Sequence, residues 1–407
     1  MKGFTTQIVH SDRRDGVEHG AVHKPIHTSV AYGYERAEDL AAVFQGKVAG
    51  HTYSRQINPT VDALEAKVTA MENGVKSVCF GTGMAAIGSI FFSLLRADDH
   101  VVSSAFLFGN TNSLFNSFDA QGLDVSFVDA TSVAAVETAM NERTRLVFVE
   151  TIANPRTQVS ALREIGELCA QRGIVYVVDN TMTSPYLFQP KDVGASLVVN
   201  SLTKYIGGHG NALGGAVTEM GNFSWSAFRN IYDDYRQGDP QKWGITQIRK
   251  KGLRDFGASL GAEAAHHIAI GAETLALRLR QQCVSAQAIA EFLDAHEQVQ
   301  QVYYPGLAGH PEHQRSAELF RYPGAILSFE LAEDVDLWAY LNRLQVVINS
   351  TNLGDNRTLA IPVAHTIYHE MGAQRRASMG IRDSLIRVSV GIEDTEDLIA
   401  DLEQAFA

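Results

Sequence analysis

The sequence predicts an α/β protein with a mostly parallel sheet, followed by a smaller C-terminal α+β domain. From residue 75 onward, strand-like runs alternate with helix-like runs, and such repeated units imply a parallel sheet with helices on both faces. The run GIVYVVDNT at 173–181 is continuously apolar up to its end, as expected for a strand buried on both faces. The strands are predicted at 75–80, 101–105, 123–128, 145–155, 173–181 and 196–200, and the helices between them at 85–95, 132–141 and 160–173.

Three segments are predicted along the chain. Residues 1–57 are expected to form an irregular N-terminal arm, because polar and turn-forming residues dominate there. The α/β domain is expected at 58–255, since Asn58 is a favourable N-cap and Pro59 a favourable first residue of a helix. Residues 256–407 combine helical runs with a few alternating strands, which predicts the smaller α+β domain.

The composition is that of an ordinary globular protein of 407 residues, with 45% apolar and 20% charged residues. The net charge of −12 argues against a nucleic-acid or membrane partner, because both select basic patches. Apolar runs such as 89–95 are well below the ~18 residues that span a bilayer. Three dispersed cysteines and an opening without a signal-like apolar core predict a cytoplasmic protein. His19, His23 and His27 recur every four residues, but Pro25 interrupts the helix that would align them, so no metal site is predicted.

The segment 199–210, VNSLTKYIGGHG, places a lysine among hydroxyl groups and glycines. Ser201 and Thr203 precede Lys204, and hydroxyl groups together with backbone N–H groups can cradle a phosphate. The lysine amine can also hold a carbonyl cofactor covalently as an imine. The alternative is a surface lysine in a glycine-rich turn.

Asp179 ends the apolar strand at 173–181. Ligands of open α/β sheets bind beyond the carboxyl ends of strands, so Asp179 is expected to face the same crevice as Lys204. A carboxylate that pairs with a protonated pyridine nitrogen, together with a lysine that forms an imine, is the minimal protein equipment for pyridoxal phosphate. The alternative is a turn residue or helix cap after a strand.

Further candidates lie near other strand ends. The helix that follows the turn GTGM offers an anion site at its start. The string Gly81-x-Gly83-x-x-Ala86 also imitates a dinucleotide fingerprint, but no acidic residue ends the next strand, where a ribose partner belongs. Phe108 either stacks on a ring or packs in the core. Other polar residues near strand ends are Glu150 and Asn154.

Two remaining features concern cations. Tyr53 and Arg55 lie in a polar loop just before the helix that starts at Pro59, and they form either a docked pair or an exposed pair. Arg387 is a basic residue within an otherwise apolar strand, and a buried arginine needs a partner. That partner is either an acid of the same domain or the carboxylate of a substrate, which guanidinium geometry suits.

Taken together, these motifs resemble the Cys/Met-metabolism, or transsulfuration, group of pyridoxal-phosphate enzymes. The group includes cystathionine γ-synthase, cystathionine lyases, methionine γ-lyase and O-acetylhomoserine sulfhydrylase. The resemblance implies a type I aminotransferase-like fold, with a mostly parallel seven-stranded sheet flanked by helices, and a homotetramer built from two dimers. It runs nearly end to end, through TYSRQINPT (52–60), FGTGMAA (80–86), ETIANP (150–155), VVDNT (177–181), NSLTKYIGGHG (200–210), NLGD (352–355) and IRVSVGIE (386–393).

The resemblance also implies a role for each candidate site residue. Lys204 would hold the cofactor, Asp179 would pair with its pyridine nitrogen, and Asn154 would contact its 3-hydroxyl. Phe108 would stack on the ring and is grouped with Lys204 and Asp179 as catalytic. The cofactor phosphate would be bound by Gly83, Met84, Ser201 and Thr203, and by Tyr53 and Arg55 of the neighbouring subunit. The substrate would be bound by Arg387, supported by Asn352 and Thr351.

This sequence departs from the family pattern at several positions. Most members carry tyrosine where this chain has Phe108, which keeps the stacking ring but lacks a phenol that could protonate a leaving group. Methionine γ-lyases have a cysteine where this chain has Asn110, and Asn200 replaces the usual histidine before Ser201. His365 and Tyr368 also differ from the residues that sulfhydrylases carry.

The expected activity is γ-replacement on an O-acyl-homoserine with a sulfur nucleophile, as in cystathionine γ-synthase or O-acetylhomoserine sulfhydrylase. The NLGD tetrad at 352–355 resembles the sulfhydrylases more than the lyases. The alternative is a γ-lyase that releases 2-oxobutanoate, ammonia and a thiol. A remote alternative is a non-enzymatic nucleotide-binding α/β protein.

Overall fold

The computed structural model describes residues 3–13 and 16–407 and contains two β-sheets flanked by helices. The strands are β1 (Lys76–Phe80), β2 (His100–Ser104), β3 (Asp124–Val128), β4 (Thr144–Glu150), β5 (Val175–Asp179), β6 (Leu197–Asn200), β7 (Gly215–Glu219), β8 (Val299–Tyr303), β9 (Ile326–Leu331), β10 (Ile348–Asn349), β11 (Leu359–Pro362) and β12 (Leu385–Ser389). The helices are α1 (Phe4–His10), α2 (Ala37–Phe44), α3 (Pro59–Met71), α4 (Gly83–Leu94), α5 (Gly109–Asp119), α6 (Val133–Ala139), α7 (Leu162–Arg172), α8 (Ser184–Leu187), α9 (Trp243–Gln247), α10 (Ala262–Glu273), α11 (Leu275–Asp294), α12 (His313–Leu319), α13 (Leu337–Arg343), α14 (Ala373–Ser378) and α15 (Thr395–Gln404), with a π-helical segment at Ile248–Asp255.

The larger sheet has seven strands in the order β1-β7-β6-β5-β4-β2-β3. Strands β2 to β6 pair in parallel, and β7 runs antiparallel to its neighbours β1 and β6. Along β5, Val175 and Val177 pack on one face while Tyr176 and Val178 pack on the other. Helices therefore bury both faces, which explains the continuous apolar run in the sequence. The predicted mostly parallel, seven-stranded sheet is confirmed.

The carboxyl ends of the parallel strands lie along one edge of this sheet. Strand β4 ends at Glu150, β5 at Asp179 and β6 at Asn200, and Glu150 is the register partner of Asp179. Strand β1 has the same direction as β6, because both are antiparallel to β7, so α4 also starts at this edge. Thr82 caps α4 by accepting a hydrogen bond from the N–H of Ala85 at 3.0 Å.

The smaller sheet has five strands in the order β10-β11-β12-β9-β8. Its pairs are antiparallel except for β10 with β11. Side chains of α11, α13 and α15 pack with this sheet in one hydrophobic cluster, which confirms the smaller α+β unit. Arg387 lies in the middle of β12, between Ile361 of β11 and Ser328 of β9.

The N-terminal segment is more helical than an irregular arm. It contains α1 and α2, while residues 1, 2, 14 and 15 of the predicted arm lie outside the described part of the chain. Lys67 of α3 holds α1 in place: its amine donates to the carbonyl of Ile8 at 2.9 Å and lies 3.4 Å from Asp12 and 3.1 Å from Glu273. Asn58 caps α3 as expected, accepting from the N–H of Thr60 at 2.9 Å. The boundaries at 57/58 and 255/256 stay predictions.

Residues 3–13 and 16–407 contain neither a membrane-spanning helix nor a cluster of metal-binding side chains. In that part of the chain no helix has both the length and the apolar character needed to cross a bilayer. No group of three or more histidine, cysteine or acidic side chains is arranged to hold a metal ion there. The three cysteines are buried and unpaired.

Candidate active site

A cavity of about 500 Å³ lies between the carboxyl edge of the larger sheet and the smaller sheet's loops. Its lining includes most of the residues that the sequence predicts for the site. One side, the sheet wall, is formed by Gly83, Met84, Phe108, Glu150, Asn154, Asp179, Ser201, Thr203 and Lys204. The opposite side, the C-terminal wall, is formed by Thr351, Leu353, Ile367 and Arg387. The structure thus gathers residues from distant parts of the chain, from Thr82 to Arg387.

Lys204 lies in the turn directly after β6 and is largely buried. Its amine donates a hydrogen bond to Oδ1 of Asn352 at 2.7 Å, so Asn352 is adjacent to the cavity although it does not line it. Burial, reinforced by the positive charge of Arg387, lowers the pKa of Lys204 to about 8. A substantial fraction of the amine is therefore neutral near pH 7 and able to accept a proton or attack a carbonyl.

Asp179, which is half-buried, and Glu150, which is buried, form an acidic pair at the ends of β5 and β4. Oδ1 of Asp179 accepts from the N–H of Thr181 at 2.9 Å, and Oε1 of Glu150 accepts from the N–H of Phe108 at 2.9 Å. Burial raises the pKa of both carboxyls, and the negative charge of Asp179 raises that of Glu150 further. Glu150 is therefore the more readily protonated member, and Asp179 is the one that carries the negative charge.

Sequence reasoning named Glu150 near a strand end but gave it no role. The available signal was the motif ETIANP, in which Glu150 follows an apolar run and so ends a predicted strand. Only the strand order, in which β4 neighbours β5, shows that the two acids meet.

The start of α4 and the turn after β6 form a narrow cradle. A Cβ added at Gly83 would lie 2.9 Å from Cβ of Ser201, so the two backbones approach too closely for a larger residue. The first N–H groups of a helix lack intrahelical partners and favour an anion. The hydroxyl of Thr203 instead accepts from the N–H of Gly214 at 3.0 Å, so it is already engaged by backbone.

Arg387 is buried in β12 without an acidic partner among the described residues. Its Nη2 donates to the carbonyl oxygens of Thr351 at 3.0 Å and Asn352 at 2.9 Å, and its Nε has no hydrogen-bond partner in the described part of the chain. Burial lowers the pKa of Arg387 to about 10, which still leaves it charged near pH 7. The intradomain ion pair considered from the sequence is therefore absent from the described residues, and this cation can receive an anion from the cavity.

Asn154 and Phe108 belong to neighbouring loops of the sheet wall. Oδ1 of Asn154 is buried and has no hydrogen-bond partner within residues 3–13 and 16–407. Tyr368 lies behind both loops, and its hydroxyl donates to the carbonyl of Asn154. His365, by contrast, is half-buried, contacts Trp338 with ring centroids 5.1 Å apart and does not line the cavity.

Tyr53 and Arg55 do not line the cavity of their own chain. The guanidinium of Arg55 lies 5.5 Å from the centroid of the Tyr53 ring and donates to the carbonyl of Arg254. Tyr53 is 40% exposed, so the pair is available to another molecule. Their predicted contact with the site of a neighbouring subunit stays a prediction.

Residues 5–407 match the sequence model of the Cys/Met metabolism PLP-dependent enzyme family. The chain belongs to this family. It is therefore an enzyme that depends on pyridoxal phosphate, and not a nucleotide-binding scaffold.

Relatives within the Cys/Met metabolism family carry out more than one reaction. The L-methionine gamma-lyase of Fusobacterium nucleatum subsp. polymorphum is 34% identical over 99% of this chain and 97% of its own length. The O-acetyl-L-homoserine sulfhydrylase of Corynebacterium glutamicum is also 34% identical, over 100% of this chain and 97% of its own length. γ-Replacement and γ-elimination are thus both compatible with the comparisons, and neither is clearly favoured.

The fold agrees with solved structures of the same family. A putative O-acetylhomoserine (thiol)-lyase from Campylobacter jejuni superposes with a TM-score of 0.94 at 28% identity, over 100% of both chains. That protein contains N'-pyridoxyl-lysine-5'-monophosphate.

The residues that line the cavity fit pyridoxal phosphate. A helix start and a serine hydroxyl meet in the cradle at Gly83 and Ser201, which suits a phosphate dianion. Oδ1 of Asn154 has no hydrogen-bond partner among the residues that the structure describes, and an acceptor of this kind suits a ring hydroxyl. The cavity also offers the partly neutral amine of Lys204 to the cofactor's aldehyde and the carboxylate of Asp179 to its pyridine nitrogen.

Proposed function

We propose that this enzyme catalyses γ-replacement on an O-acylated homoserine, in which a sulfur nucleophile takes the place of the acyloxy group on Cγ and that group leaves as a carboxylate. With sulfide the product is homocysteine, and with a thiol it is cystathionine or methionine. The alternative is γ-elimination, which releases 2-oxobutanoate, ammonia and a thiol.

We assign the cofactor site to the sheet wall. Gly83, Met84 and Ser201 hold the phosphate, with Thr203 supporting the turn through Gly214. Asp179 pairs with the pyridine nitrogen, Asn154 contacts the 3-hydroxyl, and Phe108 stacks on the ring. When bound, pyridoxal phosphate supplies an electron sink that makes the α-proton of an amino acid acidic. Lys204 holds the cofactor covalently between turnovers, and the depressed pKa of its amine supports this role.

Lys204 also carries protons during turnover. Its amine lies 2.7 Å from Oδ1 of Asn352, which orients it without adding charge. A base is most effective when its pKa is near the working pH, and the value of about 8 satisfies that condition. We therefore assign removal of the α-proton, and its transfer to later positions of the substrate, to Nζ of Lys204.

The C-terminal wall binds the substrate. Arg387 is a buried cation without an acidic partner among the described residues, and its unpartnered Nε can donate to the α-carboxylate of an amino acid. Thr351 and Asn352 fix the guanidinium through their carbonyl oxygens. This arrangement supports an amino-acid substrate with a free carboxylate.

We base the choice of reaction on Phe108, which lines the cavity without offering a phenol to a leaving group. The acyloxy group of an O-acylated homoserine leaves as a carboxylate. The conjugate acid of a carboxylate has a pKa of about 4, so this leaving group needs no protonation at pH 7. A thiol has a pKa of about 8.5, so its departure from methionine benefits from an acid. Within the described residues of a single chain, no phenol, thiol or imidazole lines the cavity, and Phe108 stands where most of the family carries tyrosine. In that chain a leaving thiol would have to take its proton from Lys204, which carries the α-proton, or from Glu150, which accepts the N–H of Phe108.

Product analysis tests the proposal. The enzyme is incubated with O-acetylhomoserine plus sulfide, and separately with methionine alone, and the products are identified by mass spectrometry. We expect homocysteine from the first mixture at a kcat/KM at least about 10-fold above 2-oxobutanoate release from the second. Faster 2-oxobutanoate release from methionine would establish the γ-lyase instead.

We also propose a cytoplasmic homotetramer assembled as a dimer of dimers. The position of Tyr53 and Arg55 outside their own cavity supports a shared site, and exposed apolar side chains at Val22 and Phe44 support a covered arm. Three buried free cysteines support a reducing compartment. Mixing Lys204→Ala subunits with Arg55→Ala subunits tests the shared site: hybrid dimers should regain activity because one of their two sites has both residues intact. Inactive hybrids would place each site within a single chain.

A further inference from the structure

Tyr368 connects two loops of the sheet wall from behind. It is 1% exposed and belongs to the C-terminal unit. Its hydroxyl donates to the carbonyl of Asn154 and lies 3.4 Å from the carbonyl of Leu107, the residue before Phe108. A phenol hydrogen placed between two carbonyls links their backbones, so the side chain joins the Asn154 loop to the Phe108 loop.

The segment that carries Tyr368 is tightly held against the site. Tyr368 packs with Val363, Ile381 and Leu385 in a small hydrophobic cluster. The neighbouring carbonyl of Ile367 would be 3.2 Å from a Cβ at Gly109, where α5 begins. Close-packed contacts of this kind transmit a displacement instead of absorbing it.

Asn154 depends on its backbone for its position. Its Oδ1 makes no hydrogen bond within the described residues, so this oxygen does not hold the residue in place. The next carbonyl in the loop, that of Pro155, accepts from Oγ of Ser328 in β9 at 2.7 Å. The C-terminal unit therefore holds this loop at two consecutive carbonyl groups.

We propose that Tyr368 is a positioning residue whose phenol holds Asn154 and the Phe108 loop at the places where they contact the cofactor. The inference rests on the proposed cofactor roles of Asn154 and Phe108. Tyr368 does not line the cavity, so it acts through the two backbones and does not touch the reacting atoms.

Tyr368→Phe removes the hydroxyl and keeps the ring, and Tyr340→Phe is the matched control. Tyr340 is equally buried, and its hydroxyl also donates to a backbone carbonyl, that of Leu402 at 3.4 Å, within the core of the smaller sheet. Both variants lose one buried hydrogen bond, so a fall in melting temperature does not distinguish them. Two other measurements distinguish the variants: the apparent Kd for the cofactor, measured by serial dilution of the holoenzyme, and the visible absorbance band.

We expect Tyr368→Phe to raise the cofactor Kd about fivefold and to shift the absorbance band, and Tyr340→Phe to leave both unchanged. Ser328→Ala, which frees the same loop at Pro155, should raise the Kd about twofold. A wild-type Kd and spectrum in both Tyr368→Phe and Ser328→Ala would overturn the proposal, even if both variants melt earlier.

A double-mutant cycle shows whether Tyr368 acts through Asn154. In an Asn154→Ala background, Tyr368→Phe should change the cofactor Kd by less than half of its effect, on a logarithmic scale, in the wild-type protein. Full additivity would mean that the phenol acts elsewhere and would reject the inference. These readouts concern cofactor retention, so they remain valid if the enzyme proves to be a γ-lyase.

Discussion

The two walls of the active-site cavity differ in how their charges are paired. On the sheet wall, the acids Asp179 and Glu150 each accept a hydrogen bond from a nearby backbone N–H. On the C-terminal wall, Arg387 is buried with an unpartnered Nε and no acidic partner among the described residues. The difference indicates that the sheet wall is organised around a permanent group, whereas the C-terminal wall is organised around an anion that comes and goes.

Replacement of Lys204, which connects the two walls, should have the largest effect. Lys204→Ala removes both the covalent attachment of the cofactor and the proton carrier, so we expect kcat to fall at least about 10⁴-fold and the borohydride-sensitive visible absorbance to disappear. Lys191→Ala, which removes a half-buried lysine that donates a hydrogen bond to the carbonyl of Asn73 and does not line the cavity, is the control and should keep wild-type kcat. Retained activity in Lys204→Ala would refute the assignment.

The pH dependence of imine formation at Lys204 tests the contact between the two walls. Burial lowers the pKa of the Lys204 amine, and the positive charge of Arg387 on the C-terminal wall lowers it further. With a folded pKa of about 8, lowered from 10.5, the neutral amine is about 10% of the population at pH 7, roughly 300-fold more than for an unperturbed lysine. The neutral form increases with pH, so trapping of pyridoxal by cofactor-free protein with cyanoborohydride should rise with a midpoint near pH 8. A midpoint above pH 10 would show that neither burial nor Arg387 acts on the amine.

Arg387 and Arg278 provide a direct contrast between an unpaired and a satisfied buried cation. Arg278 donates to the carbonyls of Tyr205 at 2.9 Å and Gly271 at 2.8 Å, and burial lowers the pKa of both arginines to about 10. Arg387→Lys should raise the KM for O-acetylhomoserine about 10- to 100-fold, because a charge-assisted bond to the carboxylate is weakened.

Arg278→Lys should instead lower the melting temperature and leave KM within about twofold of wild type, since its bonds are structural. Steady-state kinetics and thermal denaturation of both variants decide the matter. An unchanged KM in Arg387→Lys would place the substrate carboxylate elsewhere.

The sheet wall was the more predictable of the two. Its residues follow strand ends, and apolar runs mark those ends in the sequence, so Lys204 and Asp179 could be assigned to one crevice before their distance was known. Gly83 and Ser201 were expected together only from the family resemblance, and the structure adds that their backbones approach too closely for a residue larger than glycine at position 83. Local patterns sufficed because each residue is placed by the strand next to it.

The remaining features depend on tertiary packing that no local pattern encodes. The pairing of Glu150 with Asp179 requires the strand order, and the contact of Tyr368 with Asn154 joins segments 214 residues apart. The hydroxyl of Thr203, expected at the phosphate, is engaged by Gly214, a contact that arises only when the turn folds back. The helices of the N-terminal segment were missed because its apolar periodicity is weak.

The smallest effect, and the most informative for the reaction, is expected at Phe108. Phe108→Tyr places a phenol on the sheet wall. The substitution keeps the hydrogen bond from the backbone N–H of residue 108 to Oε1 of Glu150, so we expect the ring to keep its position. General acids contribute about 10²- to 10⁴-fold when fully optimised, but this phenol would lack an arranged partner, so we expect methionine elimination to rise only about 10-fold relative to γ-replacement. Phe108→Leu, which supplies neither ring nor phenol, is the control and should lower both rates alike. If Phe108→Tyr leaves the ratio of elimination to replacement unchanged, the leaving thiol obtains its proton from another group, such as the Lys204 amine. The lack of a phenol at position 108 would then no longer favour an acyloxy leaving group.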